Sequence, residues 1–299
     1  MSNPCLPALK SALLLFPLLW ASSARAQEPQ EPGAPSGGKF SLLGRDCEAE
    51  PDELETTPGS PPLDVDDPGT PGCNAWEINI VTSGEFGKAT SWDAPLFDIN
   101  YGVGDNVQLK AEIAYQFESA DGESQSGFGL GEVGIKYRFY DDESHDRSIA
   151  VYPQLEFAVP GTAGADGDEG TGTLTKLPVL MSTRLAETAK GAVMLTANVG
   201  YNVSTHPDVE DYVSASLGIG FPLASRVSLM VEGSTEQALR KNAEGVRAGY
   251  YKANLGLFAR LTPHLMVFGA VGHSFAGSDM DDPHHPFGVL GFRVLAGGP

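Results

Sequence analysis

The chain has 299 residues and a formal net charge of −20, from 39 acidic and 19 basic side chains. Neutralising a phosphate backbone takes clustered lysine and arginine, so nucleic acid is excluded as a partner. The 36 glycines, 22 prolines, 14 phenylalanines and 9 tyrosines favour turns and pleated strands over sustained helices. Beyond the N-terminus no window holds the roughly 18 apolar residues of a spanning helix, so an integral membrane form must be a barrel.

In chain order, Lys10 precedes the apolar run SALLLFPLLWASS, and Ala24, Arg25 and Ala26 form a small-x-small site before Gln27. This is the layout of a secretory signal peptide, with residues 1–26, Cys5 included, removed by cleavage after Ala26. Residues 27–74 are acidic and proline-rich, as in PDELETTPGSPPLDVDDPGTPG, and bury too little apolar surface to offset their ordering entropy. A disordered periplasmic tether is expected there. Cys47 and Cys73 both lie in it, and in an oxidising compartment a disulfide between them is the first reading. Free or intermolecular thiols are the alternative. With no histidine beside either cysteine, a thiolate zinc site is not expected.

From 75 to 299 apolar and polar residues alternate almost without rest. Trp76, Ile78 and Ile80 oppose Glu77 and Asn79; Phe97, Ile99 and Tyr101 oppose Asp98 and Asn100. The clearest strand is NVQLKAEIAYQFE, where Val107, Leu109, Ala111, Ile113, Tyr115 and Phe117 form one file. The other file is Asn106, Gln108, Lys110, Glu112, Gln116 and Glu118, with Ala114 as its exception. GEVGIKYRFY repeats the pattern, with Val133, Ile135, Tyr137 and Phe139 opposite Glu132, Lys136 and Arg138. A period of two is that of a strand with one apolar and one wet face. A fifth strand sets Ile149, Val151, Leu155, Phe157 and Val159 against Ser148, Tyr152, Gln154 and Glu156. Seven more follow near 173–186, 190–203, 210–222, 226–238, 247–261, 264–276 and 285–296, about 12 in all, the sixth and eleventh blurred by Pro178, Met266 and Phe268.

Alternation alone fits both a soluble sandwich and a membrane barrel. The connections separate them. EFGKATSW, SADGESQS, PGTAGADGDEGTG, STHPDV, EQALRKNAEG and AGSDMDDPHH are long, and VGD, DDESHD, AETAK, LASR and TP between them are shorter. Short periplasmic turns alternating with long outer loops are the rhythm of an outer-membrane barrel. The fold class expected is therefore all-β: an antiparallel up-and-down transmembrane β-barrel of about 12 strands over residues 75–299, behind the disordered segment. Trp76, Trp92, Tyr101, Phe117, Phe139, Tyr140, Tyr201 and Phe221 near strand ends suit interfacial girdles.

The runs DAPLFDINYGVGDNVQLKAEIAYQF, GFGLGEVGIKYRF, VYPQLEFAVPG and LTANVGYNV resemble the outer-membrane family named for the MetA pathway of phenol degradation, over roughly residues 76–295. The resemblance implies a transporter-like barrel that passes or binds small molecules, hydrophobic and aromatic ones among them. It brings no catalytic motif.

With the apolar files toward lipid, Asp98, Lys110, Glu112, Glu132, Lys136, Arg138, Glu156, Glu232, Lys252 and Arg260 point into the lumen. They are the pore-lining and binding candidates, able to select solutes by size and charge or to hold the barrel rigid by pairing with one another. The partners expected are outer-membrane lipid, lipopolysaccharide and a small solute. No cofactor is expected. Asp279, Asp281, Asp282, His284 and His285 place oxygen and imidazole ligands close together, a weak metal or hydrolytic candidate in an outer loop. His145 with Ser148 lacks an evident acidic partner. A non-enzymatic channel is the first reading; a structural or adhesive surface barrel whose acidic loops bind divalent ions is the alternative.

Overall fold

A computed structural model describes residues 39–40, 64–120, 122–162, 172–205, 210–241, 247–276 and 284–297. The signal peptide, Cys47, Asp279, Asp281 and Asp282 lie outside the described residues. Strand β1 is Ala75–Phe86, β2 Thr90–Gly102, β3 Val107–Ala120 and β4 Gly131–Asp142. Strand β5 comes in two halves, Arg147–Val151 and Gln154–Phe157, broken at Tyr152 and Pro153; β6 is Thr173–Thr188, β7 Gly191–Ser204 and β8 Tyr212–Ala224. Strands β9 (Val227–Ala238), β10 (Gly249–Thr262), β11 (Leu265–Ala276) and β12 (His284–Gly297) complete the series. Each pairs antiparallel with the next, and β12 returns to β1 from Phe287↔Glu85 to Gly297↔Ala75, so the 12 strands close into a barrel. Closure leaves the 12-strand ladder itself without a terminal strand.

Two short segments decorate it. Lys39–Phe40 pairs with Asp141 and Tyr140 of β4, and Glu123–Phe128 folds back on the outer part of β3. Strand β3 therefore changes partner, from β4 up to Glu112↔Glu132 to the returning segment at Tyr115↔Phe128. At this junction Phe97, Ile113, Phe128, Val133 and Phe157 line an apolar notch of about 410 Å3 on the outer face.

The expected loop rhythm holds with one change. The connections at 103–106, 143–146, 189–190, 225–226 and 263–264 share the barrel end that holds Ala75 and Gly297, and the strand ends joined by the longer ones, Ala120 to Gly131, Phe157 to Thr173, Ser204 to Tyr212, Ala238 to Gly249 and Ala276 to His284, lie at the other end. The link between β1 and β2, expected to be long, spans only 87–89, because Glu85, Phe86, Thr90 and Ser91 continue the ladder.

Sidedness follows the period of two. Gln108 and Lys136 are buried inside, while Leu109 and Ile135 are exposed outside; Val199, Leu217, Leu257, Val271 and Leu290 continue the apolar exterior. A lipid-facing Lys or Arg costs about 2–4 kcal/mol at the bilayer midplane, which fixes the direction of the pleat. Ile135 is 52% exposed and lies near the middle of β4. Ile135→Lys is expected to lower stability in lipid vesicles by about 2–4 kcal/mol in urea unfolding, and Ile135→Leu by less than about 1.5 kcal/mol.

Candidate functional site: a polar lumen crossed by an N-terminal strap

The inward file of β3 to β6 builds an ion-pair chain. Lys110 Nζ lies 2.8 Å from Glu112 and 2.5 Å from Glu132. Lys176 Nζ lies 2.8 Å from the other oxygen of Glu132 and also pairs with Glu156. Glu132 is 5% exposed, so its charge is balanced by two ammonium groups and scarcely by solvent. A second chain runs over β12 to β5. Arg293 Nε donates to Asn79 (2.9 Å) and faces Glu77 (3.3 Å); Asn79 and Asn100 donate to Asp98; Gln108 donates to Asn100 and to the Tyr152 hydroxyl.

The opposite wall is apolar low in the barrel. Met230, Phe258, Met266, Phe268, Val81 and Leu295 form one buried cluster, with the rings of Phe258 and Phe268 stacked at 6.0 Å. This explains why the eleventh strand blurred in sequence: Met266 and Phe268 face inward and so place apolar residues on the lumen file.

Between these walls runs the end of the segment expected to be a disordered tether. That expectation is corrected for Asp64 to Asn74, which form a strap inside the barrel. Val65 is fully buried in the apolar cluster beside Met230. The Asp66 N–H donates to Asn198 Oδ1 (2.9 Å) while Asn198 Nδ2 donates to the Asp66 carbonyl (2.6 Å), an amide standing in for a neighbouring strand. Lys136 Nζ, 2% exposed, donates to the carbonyls of Asp67 (2.8 Å) and Gly69 (3.2 Å) and lies 4.7 Å above the Tyr152 ring. Thr70 Oγ1 and Arg138 both donate to the Asp105 carbonyl. The strap leaves along β2 so closely that a Cβ at Gly102 would coincide with the Gly72 carbonyl, and Asn74 N–H donates to Gly102. The wall supplies the burial and the hydrogen-bond partners that the strap's own composition lacks.

All ten lumen candidates fall on the inward file. Glu112, Glu132 and Glu156 join Lys110 in the ion-pair chain, Lys136 and Arg138 secure the strap and its turn, and Asp98 joins the amide chain. Glu232 receives Asn254 Nδ2 at 2.9 Å, and Lys252 pairs with Glu85 at 3.1 Å. Arg260 sits lower, opposite Met266 in the β10–β11 ladder. Sequence reasoning missed Lys176, Asn198 and the strap. Val65, apolar within an acidic run next to the first strand, was the available signal.

The weak metal candidate does not assemble from its described members. His285 points inward to Glu85 (3.1 Å), while His284 points outward toward Phe275. No group of three or more His, Cys, Asp or Glu suited to a metal occurs among the described residues. His145 does have an acidic partner, contrary to expectation: Asp142 Oδ2 lies 2.8 Å from Nδ1. Ser144 Oγ approaches that same Nδ1 at 2.7 Å, and Ser148 bonds Ser182 instead. A proton relay needs the acid and the hydroxyl on opposite ring nitrogens, so this turn is a cap.

No family model matches the sequence, and no curated protein matches it. Solved structures do. The COG4313 outer membrane channel from Pseudomonas putida F1 superposes with a TM-score of 0.59 over 78% of this chain and 100% of that chain, at 14% identity. The NanC porin gives 0.51 over 73% of this chain and 98% of that chain, at 9% identity. The barrel has the fold of outer-membrane channels. The resemblance read in sequence is met at that coarser level, and similarity this distant speaks to architecture rather than to solute.

Gly218 of β8 gives the Met230 side chain its room beside Val65, since a Cβ there would overlap Met230 Cε while staying in ordinary contact, 3.6 Å, with Val65 Cγ2. Val65→Asp puts a charge in this apolar seat and is expected to dislodge the strap, read as cleavage by an aspartate-specific endoproteinase (Asp-N) at Asp64, Asp66 or Asp67 of the detergent-solubilised protein that the wild type resists.

Proposed function

We propose that the protein is a passive outer-membrane channel for small molecules, its lumen narrowed by its own N-terminal strap. One observation supports this most: a hydrogen-bonded, charged lumen lies inside an apolar exterior, with the strap held by side chains the wall turns inward. Placing the short turns and both ends of the barrel in the periplasm follows the usual order of such barrels, and lipid and lipopolysaccharide then meet the exterior. Within this reading Cys73, which is disulfide-bonded, takes Cys47 as its partner, because Cys5 leaves with the signal peptide. The bond would close a loop at the root of the strap.

Selection would act through the ion-pair chain and the strap, which leave a path set by size and charge. A lumen lined by paired charges can select solutes that move down a gradient without chemical conversion. Hydrophobic and aromatic solutes remain the class implied by the sequence resemblance. The reading of a structural or adhesive barrel rests on acidic loops at 163–171 and 277–283, outside the described residues. Liposome swelling with uncharged solutes of graded size tests the proposal: size-dependent flux at constant energy supply is expected, and impermeability of both the intact and the strap-replaced protein would contradict it.

A further inference from the structure

Strand β9 meets the first two residues of the strap with three successive members of its inward file. Met230 packs in the apolar cluster with Val65, and Ser234 Oγ donates to Asp64 Oδ2 at 2.9 Å. Between them stands Glu232, 3% exposed. Its stem shares one spot of β8 with the strap, since a Cβ at Gly218 would meet Glu232 Cγ at 3.4 Å and Val65 Cγ2 at 3.6 Å. Asp64 also turns its backbone N–H toward the Glu232 carboxyl. The strap thus lies directly on a buried acid.

The charged groups that face this acid are the strap's own Asp64 and Asp66. Its ladder neighbours are Gly218 on β8 and Asn254 on β10, with Ser216 and Gly256 next along those files. Lys252, one rung higher on β10, pairs with Glu85, and Glu236, further up β9, takes the Tyr250 hydroxyl. Two orphaned acceptors then decide the chemistry. Asn254 Nδ2 donates to Glu232 Oε2 at 2.9 Å, while Glu232 Oε1 and Asn254 Oδ1 are both buried and neither receives a donor from the described residues. An ionised Glu232 leaves both oxygens bare and buries a further negative charge beside Asp64 and Asp66. A single proton on Oε1 removes both faults: the carboxyl becomes a donor to Asn254 Oδ1 and closes the two-bond ring that a carboxylic acid makes with a primary amide.

We infer that Glu232 is a proton-controlled latch for the strap: as the neutral acid it pairs with Asn254 and lets Asp64 and Val65 lie on it, and when its proton passes to water it repels Asp64 and Asp66 and lifts the strap. The direction follows from linkage. The seated strap holds the extra proton, whereas a lifted strap leaves Glu232 to lumen water as the hydrated carboxylate, so rising pH favours the lifted state. The inference rests on the reading of a passage narrowed by the strap and adds to it a control by pH.

Planar-bilayer conductance of the full-length protein, recorded from about pH 6 to about pH 10, tests it. A several-fold rise toward the alkaline end is expected of the wild type. In Glu232→Gln the carboxamide keeps the ring, with Nε2 donating to Asn254 Oδ1 and no proton to lose, so its profile should be flat. A flat wild-type profile, or an equal rise in Glu232→Gln, overturns the inference. Should that variant lose heat-modifiable migration, Asp64→Asn on the strap replaces it. This change leaves every ladder pair in place and takes away one facing carboxylate, so the ratio of alkaline to acidic conductance should fall, and an unchanged ratio overturns the inference. A protein that conducts at no pH, with its strap intact or replaced, overturns the passage reading and the latch together, whereas flat but measurable conductance overturns the latch alone.

Discussion

Replacing residues 64–71 with a Gly-Ser segment of equal length is expected to raise single-barrel conductance several-fold while leaving the barrel folded. The strap meets three walls: Val65 in the apolar cluster, Asp66 on Asn198 of β7, and Asp67 and Gly69 on Lys136 of β4. The ladder that closes the barrel, from β12 to β1, starts at Ala75 and does not involve those residues. Strand pairing should thus survive, and heat-modifiable migration would confirm it. A barrel of this size sits between those filled by side chains and those with open channels, so removing a segment that crosses it changes the free cross-section substantially. Lys136→Met is expected to give part of the same increase, because it removes two hydrogen bonds to the strap and nothing from the ladder. Planar-bilayer recording measures both.

Glu132→Gln is the other large effect. Glu132 binds Lys110 through one oxygen and Lys176 through the other, at 2.5 and 2.8 Å, in a place with little solvent. Removing its charge leaves the ammonium groups of Lys110 on β3 and Lys176 on β6 without their shared counter-ion, with Glu112 and Glu156 as their remaining ion-pair partners among the described residues. Breaking a buried pair by deleting one partner costs about 3–5 kcal/mol, and here one deletion affects two pairs. Urea unfolding in lipid vesicles should show a loss of that order. Glu112→Gln removes a more exposed partner of Lys110 alone and should cost about 1 kcal/mol or less. A double change, Glu132→Gln with Lys176→Met, should recover a measurable part of the first loss, since it removes one of the orphaned charges along with its counter-ion.

The fold was legible because the pleat leaves a record. Leu109 beside Lys110 and Ile135 beside Lys136 are pairs of neighbours whose chemistry fits opposite solvents, and the structure turns each to the side its chemistry requires. Met266 and Phe268 resisted assignment for a physical reason: they belong to a lumen face that is apolar, so both faces of β11 are greasy there. The brevity of the link at 87–89 was hidden because Phe86, Thr90 and Ser91 look like loop or strand equally well, and only pairing decides.

The site was legible in its charges and not in its amides. Lys110, Glu112, Glu132 and Lys136 announced themselves by alternation, whereas Asn198 and Asn254 were unremarkable members of a polar file. Their importance comes from what they meet, the strap backbone of Asp66 inside the lumen in one case and the ladder neighbour Glu232 in the other. Lys176 shares a strand with Pro178 and Leu180, which mask the period. The strap reads as disordered because taken alone it has too little to bury. Its order is supplied by the barrel around it, a tertiary effect that local composition does not carry.

The most direct measurement is cross-linking of the strap to the wall in protein whose native cysteines are replaced by serine. Asp66→Cys is combined in one sample with Asn198→Cys and in another with Val199→Cys, neighbours on β7 that face the lumen and the lipid. A short bis-methanethiosulfonate linker should join 66 to 198 within one chain and fail to join 66 to 199. Equal yields at both positions, or no link at either, would contradict a strap that crosses the lumen of a channel.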